Sequence, residues 1–375
     1  MICLAGVDIG GTKCAVCLGA LRDGEIELLG KHTFPTADSP AATLEQAQAA
    51  LESLLHEYTS TLIKGGRAFS PLTRVARAFS PLTRMARAFS SLTKGVRGGF
   101  FSPLTKGGRG GFPLAAIGVS CGGPLDSRAG LVLSPPNLPG WDGIDLLTPF
   151  RERFGVPAGL QNDANAGALA EWRWGAGRGC RNMIFLTFGT GMGAGLILDG
   201  KLYTGANDLA GEVGHVRLEE SGPVGYGKAG SFEGFCSGGG IANLARDLAA
   251  ERLQAGERPS FCPTSADLPA VTAEKVAWAA QQGDRLALQI FEIAGQKLGR
   301  GLAMLVDILN PERIVIGSIY SRRQSLLEPA MLQTLQEEAL PLALQVCQVV
   351  PSGLGERVGD FASLAVAMEA ANLEP

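Results

Sequence analysis

LAGVDIGGTKCAVCLGAL, residues 4–21, is an apolar run that reaches Asp8, breaks at Gly10-Gly11-Thr12 and resumes as a second apolar run. The pattern predicts a strand, a glycine turn and a second strand. Backbone N–H groups in such a turn can approach a phosphate closely, because glycine interposes no side chain. Asp8, ending the first strand, offers a hard oxygen for Mg²⁺, directly or through water. Taken alone, the stretch also reads as an ordinary Gly-rich hairpin. A second stretch repeats the design: in MIFLTFGTGMGAGLILDGKLYTG, residues 183–205, the run Ile184 to Phe188 enters Gly189-Thr190-Gly191 and Gly195 to Leu198 leaves it. No G-K-[ST] follows, which excludes a Walker loop, and a strand follows instead of a helix, which excludes a dinucleotide fingerprint. The pair predicts two phosphate clamps facing one another across a cleft.

Between them lies FGVPAGLQNDANAGALAEWRWG, residues 154–175, in which a short strand ends at Gln161-Asn162-Asp163 and a helix-favouring run begins at Ala164. Asp163 has two readings: the cap of that helix, or the base that accepts a proton from an attacking hydroxyl in phosphoryl transfer. On the second reading Asn162 binds a neighbouring sugar hydroxyl. In NDLAGEVGHVRLEESGPVGYGKAGSFEG, residues 207–234, Glu212 and His215 stand three apart in a Gly-rich run and Glu233 follows a polar loop. Carboxylates and an imidazole suit a sugar, whose hydroxyls both donate and accept; a surface histidine in a loop is the alternative. Finally, Leu286, Ile290, Leu298, Leu302 and Leu309 recur at helical spacing, Pro311 stops the helix, and Ile314 to Ile316 form a buried strand ending at Gly317. Most of these residues belong to the core, with Gly317 and its neighbours left to touch a nucleotide.

The 375 residues, 46% hydrophobic and 18% charged, suffice for two domains. No apolar run reaches the roughly 18 residues of a spanning helix, and no charged-then-apolar leader opens the chain, so a soluble cytoplasmic protein without membrane partners is expected. Eight cysteines scatter without disulfide spacing. Cys14 and Cys17 fall three apart on a strand-like run, hence on opposite faces, as buried small residues more than as a redox or metal pair.

Residues 64–112 depart from their surroundings. RAFSPLTRVA, RAFSPLTRMA and RAFSSLTKGV succeed one another from Arg67, Arg77 and Arg87, and FSPLTKGGRGGF follows from Phe101. The segment holds ten Lys and Arg and no acid, so the chain's net charge of −3 divides into +10 here and −13 elsewhere. A ten-residue period with repeated Ser-Pro suits neither helix nor sheet. A disordered surface loop is expected, with a basic arm for nucleic acid, polyphosphate or an acidic membrane as the sharper alternative. Its removal would join a helix-like stretch, Ala41 to Leu62, to a strand-like one, Leu114 to Val119, through a short connection.

In this order DIGGTK, GVSCGGPLD, PPNLPGW, QNDANA, FGTGMGAG, GEVGHV and LNPERIVIG resemble the ROK family (repressors, open reading frames and kinases), particularly its glucokinase-like branch. The resemblance covers nearly the whole chain apart from the insert. It implies the two-domain actin-like ATPase (ribonuclease H-like) fold, each α/β domain built on a mixed five-stranded sheet, closing around a cleft. Residues 1–165 with a C-terminal helix at about 359–375 would form the smaller domain and residues 166–358 the larger. It further implies a hexose kinase using ATP and Mg²⁺, with Asp163 as the base. Asn162, Glu212, His215, Glu233, Gly123 and Asn137 would hold the sugar. Gly10, Gly11, Thr12, Lys13, Gly189, Thr190 and Gly191 would hold the ATP phosphates, Asp8 the Mg²⁺ of the nucleotide, and Gly317 the adenosine. Dimers or tetramers are common in the family.

One departure concerns a zinc site that the family builds from the GH histidine and three cysteines. Val224, Tyr226 and Ser231 stand at the cysteine positions here, so no structural zinc is expected, and Tyr226 with Phe232 would pack in its place. ROK repressors carry a DNA-binding helix-turn-helix ahead of the first phosphate loop; Asp8 leaves no room for one, which disfavours that branch and nucleic acid as a partner. Gly122-Gly123-Pro124 with Pro136-Asn137 leans toward glucose over N-acetylmannosamine, while fructose, mannose and allose kinases share much of the pocket. A catalytically silent sugar sensor and a polyphosphate-dependent kinase are the rival readings.

Overall fold

The computed structural model describes residues 1–64 and 114–373; the repetitive basic segment lies, apart from Lys64, outside the described residues. The chain opens with β1 (Ile2–Ile9), β2 (Lys13–Arg22), β3 (Glu25–Pro35), α1 (Pro40–Lys64) and β4 (Leu114–Cys121). Short strands β5 (Leu125–Asp126), β6 (Leu131–Leu133) and β7 (Asp142–Asp145) lead to α2 (Thr148–Phe154), β8 (Ala158–Asn162) and α3 (Asp163–Trp174). Then come β9 (Met183–Phe188), β10 (Met192–Leu198), β11 (Lys201–Tyr203), a 3₁₀ turn at Val213–His215, β12 (Val224–Gly225), β13 (Lys228–Ala229), α4 (Phe232–Cys236) and α5 (Gly238–Gln254). The remainder is α6 (Ala273–Gln281), α7 (Arg285–Leu309), β14 (Arg313–Ile316), α8 (Ile319–Glu338), α9 (Pro341–Leu344), β15 (Gln348–Pro351) and α10 (Val358–Ala370).

Two five-stranded mixed sheets result, ordered β3-β2-β1-β4-β8 and β11-β10-β9-β14-β15. Each is one plan: an antiparallel three-strand meander whose first strand pairs in parallel with a later strand, which in turn pairs in parallel with the fifth. Short glycine turns permit the antiparallel hairpins, whereas the parallel pairs need long crossovers, supplied by α1, α5 to α7 and α8. β1 is buried from Cys3 to Val7, as expected of a strand covered on both faces. Cys14 and Cys17 are buried on opposite faces of β2, Cys14 beside Thr36 and Cys17 beside Ser363. β5, β6 and β7 form a separate small sheet beyond the end of β4.

The predicted amphipathic helix is α7. Asp284 caps its start, accepting from Ala287 N at 2.9 Å, and Asn310 ends it at φ 43, one residue before Pro311. Its apolar stripe faces the core, with Leu286, Ile290, Leu298 and Leu302 buried.

α10 lies on the first sheet at so close a distance that a Cβ on Gly118 would collide with the backbone of Ser363 and Ala367. α3 lies on the second sheet, where Ala164 meets Gly195 in the same manner. The two helices also pack against each other, and an ion pair between buried Arg173 and exposed Glu369 joins them. Glu171, fully buried on α3, accepts hydrogen bonds from Ala176 N (2.7 Å), Gly353 N (3.1 Å) and Leu354 N (3.0 Å) and from Ser352 Oγ. It therefore fixes α3 to the loop that leads into α10. No helix among the described residues is long and apolar enough to cross a membrane.

Candidate active site

A cavity of about 340 Å³ opens between the two sheets, and Asp8, Gly10, Asn137, Asp163, Gly189 and Gly317 contribute to its wall. Parallel pairing of β1 with β4 sets Asp8 opposite Ser120, whose Oγ donates to Asp8 Oδ1 at 2.8 Å. Burial pushes the Asp8 carboxyl up to about 6; the Ser120 hydrogen bond opposes this, and the carboxylates of Asp163 and Asp360 add to it. Lys31 on β3 forms an ion pair with Asp360 in the first turn of α10, and its charge also opposes the rise.

Asn162 caps α3, its Oδ1 accepting from Asn165 N at 2.7 Å. The alternative reading of Asp163 as the cap is thereby corrected: Asp163 is the first helical residue, and its Oδ1 accepts from Ala164 N at 2.9 Å. Its side chain remains open to solvent entering the cleft while protein encloses it on the other sides, and this desolvation raises its carboxyl above the usual range. Capping also occupies the Asn162 carbonyl oxygen, which leaves its amide N–H groups as the donors available to a ligand.

Each glycine turn is braced from outside its own hairpin. At the first, Gly10 N donates to Lys13 O (3.1 Å), while Thr36 bonds Gly10 O through Oγ1 (2.6 Å) and Thr12 O through N (3.2 Å). Gly11 rests on the Asn137 carbonyl, leaving no room for a Cβ. Gly11, Thr12 and Lys13 are exposed at the turn's tip and do not line the cavity. At the second, Gly189 N donates to Gly191 O (3.1 Å) and Gly238 N, starting α5, donates to Gly189 O (2.8 Å). Glu233 Oε2 accepts from Met192 N at 3.0 Å, so a residue expected on the sugar also anchors this hairpin. Thr190 is exposed at its tip.

Glu212, His215 and Glu233 converge near Asp163. The Glu212 carboxyl is raised chiefly by desolvation, with the carboxylates of Asp163 and Glu233 adding and His215 opposing, although the side chain is solvent-accessible. His215 is exposed, its ring edge-on to Tyr226 at 6.3 Å. Gly123 adjoins Asn162, and the Asn137 side chain lies against Gly122, so the small sheet forms one wall of the same region.

The donor set around His215 does not fit the zinc site implied by the resemblance. Val224 is apolar and Tyr226 is 66% exposed, while Ser231 is buried with its Oγ committed to Gly234 N (3.1 Å) and Gly225 O (3.3 Å). Cys236 Sγ donates to Ala294 O inside the core at 3.5 Å. Of the two aromatics expected to brace the loop, Phe232 does so, buried against Gly301 of α7. Tyr226 instead points outward, because its φ of 45 places it at the tip of the β12–β13 turn.

Sequence reasoning did not single out Ser120, Thr187 or Gly359, all on the cavity wall, whereas Ser318 there is a neighbour of Gly317 and was expected at a nucleotide. Ser120 and Thr187 were within reach, since each lies in an apolar run leading to a site segment; Gly359 arrives through a crossover that no local pattern encodes.

A sequence model described as the ROK family matches residues 108–369. A glucokinase of Thermotoga maritima is 32% identical over 255 residues, 68% of this chain and 79% of its own. A xylose repressor of Caldicellulosiruptor bescii is 33% identical over 207 residues, 55% of this chain and 50% of its own. Among solved structures, a ROK hexokinase of Thermus thermophilus superposes with a TM-score of 0.70 at 25% identity, covering 99% of both chains.

Proposed function

The chain belongs to the ROK family, and on that premise we propose that it is an ATP-dependent hexose kinase of the actin-like ATPase fold, with glucose as first choice of acceptor. The carrying observation is the position of Asp163, in one cavity with Asp8, Gly10 and Gly189 and within electrostatic reach of Glu212, which also feels Glu233. The duplicated strand order supports the fold assignment. We assign residues 1–165 with the C-terminal helix from about residue 359 to one domain and residues 166–358 to the other.

In this reading the sugar lies among Asn162, Glu212, His215, Glu233, Gly123 and Asn137, its primary hydroxyl at Asp163. Asp163 accepts the hydroxyl proton as the oxygen bonds to the γ-phosphorus and the bond to ADP breaks. Its raised proton affinity makes it a stronger base than an ordinary aspartate. Backbone N–H groups of the two glycine turns receive the phosphate oxygens, and Gly317 lies beside the adenosine. Asp8 suits a hard cation, with one oxygen held by Ser120 and the other on the side of Gly359. Mg²⁺ bound with the nucleotide supplies neutralisation of phosphate charge.

ADP release from ATP and Mg²⁺ across glucose, fructose, mannose, allose and N-acetylmannosamine tests the proposal. Turnover with one preferred sugar, lost in Asp163→Asn, is the expected result. Sugar binding without turnover by any acceptor, from ATP or polyphosphate, would favour the sensor reading that the xylose repressor likeness keeps in view.

A further inference from the structure

Ser127 and Asp208 meet across the boundary between the two halves of the chain. Asp208 Oδ2 accepts from Ser127 N at 2.8 Å and Oδ1 accepts from Ser127 Oγ at 3.0 Å, between residues 81 apart in sequence. Asp208 is 7% exposed. Its φ is 60, in the left-handed region that glycine adopts freely and that, among residues with side chains, Asp and Asn tolerate best. A buried carboxylate whose two acceptor oxygens both take donors from one residue of the other half marks a contact that the local chain does not itself require.

Each partner is rigidly attached to its own wall. Asp208 sits in the loop between β11 and the Val213–His215 turn, which is pinned to β10. There Ala194 N donates to Gly211 O at 2.7 Å, and Gly211 abuts the Ala194 carbonyl too closely for a Cβ. Glu212 follows in that loop. Ser127 follows β5, in a turn closed by Asp126 Oδ1 accepting from Arg128 N (3.0 Å) and Ala129 N (2.8 Å). The same small sheet carries Asn137 in its β6–β7 connection, and Gly123 lies just before it.

We propose that Ser127 and Asp208 form a latch that holds the wall bearing Asn137 and Gly123 against the wall bearing Glu212, and so retains the acceptor in the closed cleft. Both are positioning residues, acting through the walls they join. The proposal rests on the kinase reading for the acceptor's identity; the contact itself does not.

Asp208→Gly isolates the latch, because it removes the carboxylate while supplying the residue that φ favours, so the loop keeps its fold. The expected result is a rise of about tenfold in KM for the sugar, with kcat and KM for ATP within about twofold of the parent. Ser127→Ala, which retains the N–H donor, should give a smaller rise of the same kind. Backbone hydrogen exchange read in parallel should show faster exchange at residues 125–133 in Asp208→Gly. Unchanged exchange there would overturn the latch. Faster exchange with unchanged sugar KM in an active enzyme would overturn its role in acceptor retention. Faster exchange in a protein whose parent phosphorylates nothing would support the latch and sink the kinase reading instead.

Discussion

Asn162 Oδ1 lies 2.7 Å from the backbone nitrogen of Asn165, so α3 is capped one residue ahead of Asp163. The cap and the candidate base are thus separate residues, and substitution at each should report on a different property.

Asp163→Asn should fold with nearly parental stability, since the cap is untouched, while kcat falls on the order of 10²–10⁴-fold. Asn162→Ala should lose about 1 kcal/mol in denaturant titration, and Asn162→Ser should restore most of it. Near-parental turnover in Asp163→Asn would remove the base assignment.

Asp8 yields a prediction whose sign depends on pH. Its carboxyl is raised from 3.8 to about 6 in the folded protein, so the folded state binds the proton more tightly than the unfolded one. That contribution is fully present below about pH 4 and is lost as pH rises through about 6. Asp8→Asn keeps an oxygen for Ser120 and removes the buried charge. It should therefore be more stable than the parent by about 3 kcal/mol at pH 7.5, the gain vanishing near pH 4, while activity collapses. Equal stability of the two proteins at pH 7.5 would contradict the account. For the parent, the acid limb of kcat should lie above the ordinary aspartate range, because Asp163 is raised as well.

The loop carrying His215 and Glu233 is held by packing and a serine cap, so a strong zinc chelator should leave the melting temperature unchanged. Phe232→Ala, emptying the space against Gly301, should cost about 3–4 kcal/mol. A drop in melting temperature on chelation, reversed by zinc, would show a metal brace after all.

Glu171 satisfies three backbone N–H groups and the Ser352 hydroxyl in the core. Glu171→Ala should therefore lose about 3 kcal/mol or more in denaturant unfolding, and Glu171→Gln about half as much. A loss below about 1 kcal/mol would mean that water replaces the carboxylate.

The strands around both glycine turns, the helix after Asp163 and the long α7 were legible because each is written in local periodicity and turn chemistry. The resemblance located the candidate site residues on the same segments. The alternative reading of Asp163 as the cap arose because Asn162 and Asp163 are both good capping residues, and only the backbone torsions at their junction separate them. Tyr226 was expected inside because an aromatic ring favours burial, but its place at a two-residue turn tip carried it outward.

The sequence by itself determined the two strand–turn–strand units, their glycine tips and the carboxylates beside them, since neighbouring residues set those features. Tertiary structure alone decided that Ser120 would bond Asp8, that Glu171 would receive the 352–354 loop, and that Asp208 would meet Ser127. The physical reason is that any buried carboxylate needs donors, and backbone N–H groups along the chain are chemically alike. Which of them arrives is fixed by how the two sheets and α10 close on one another.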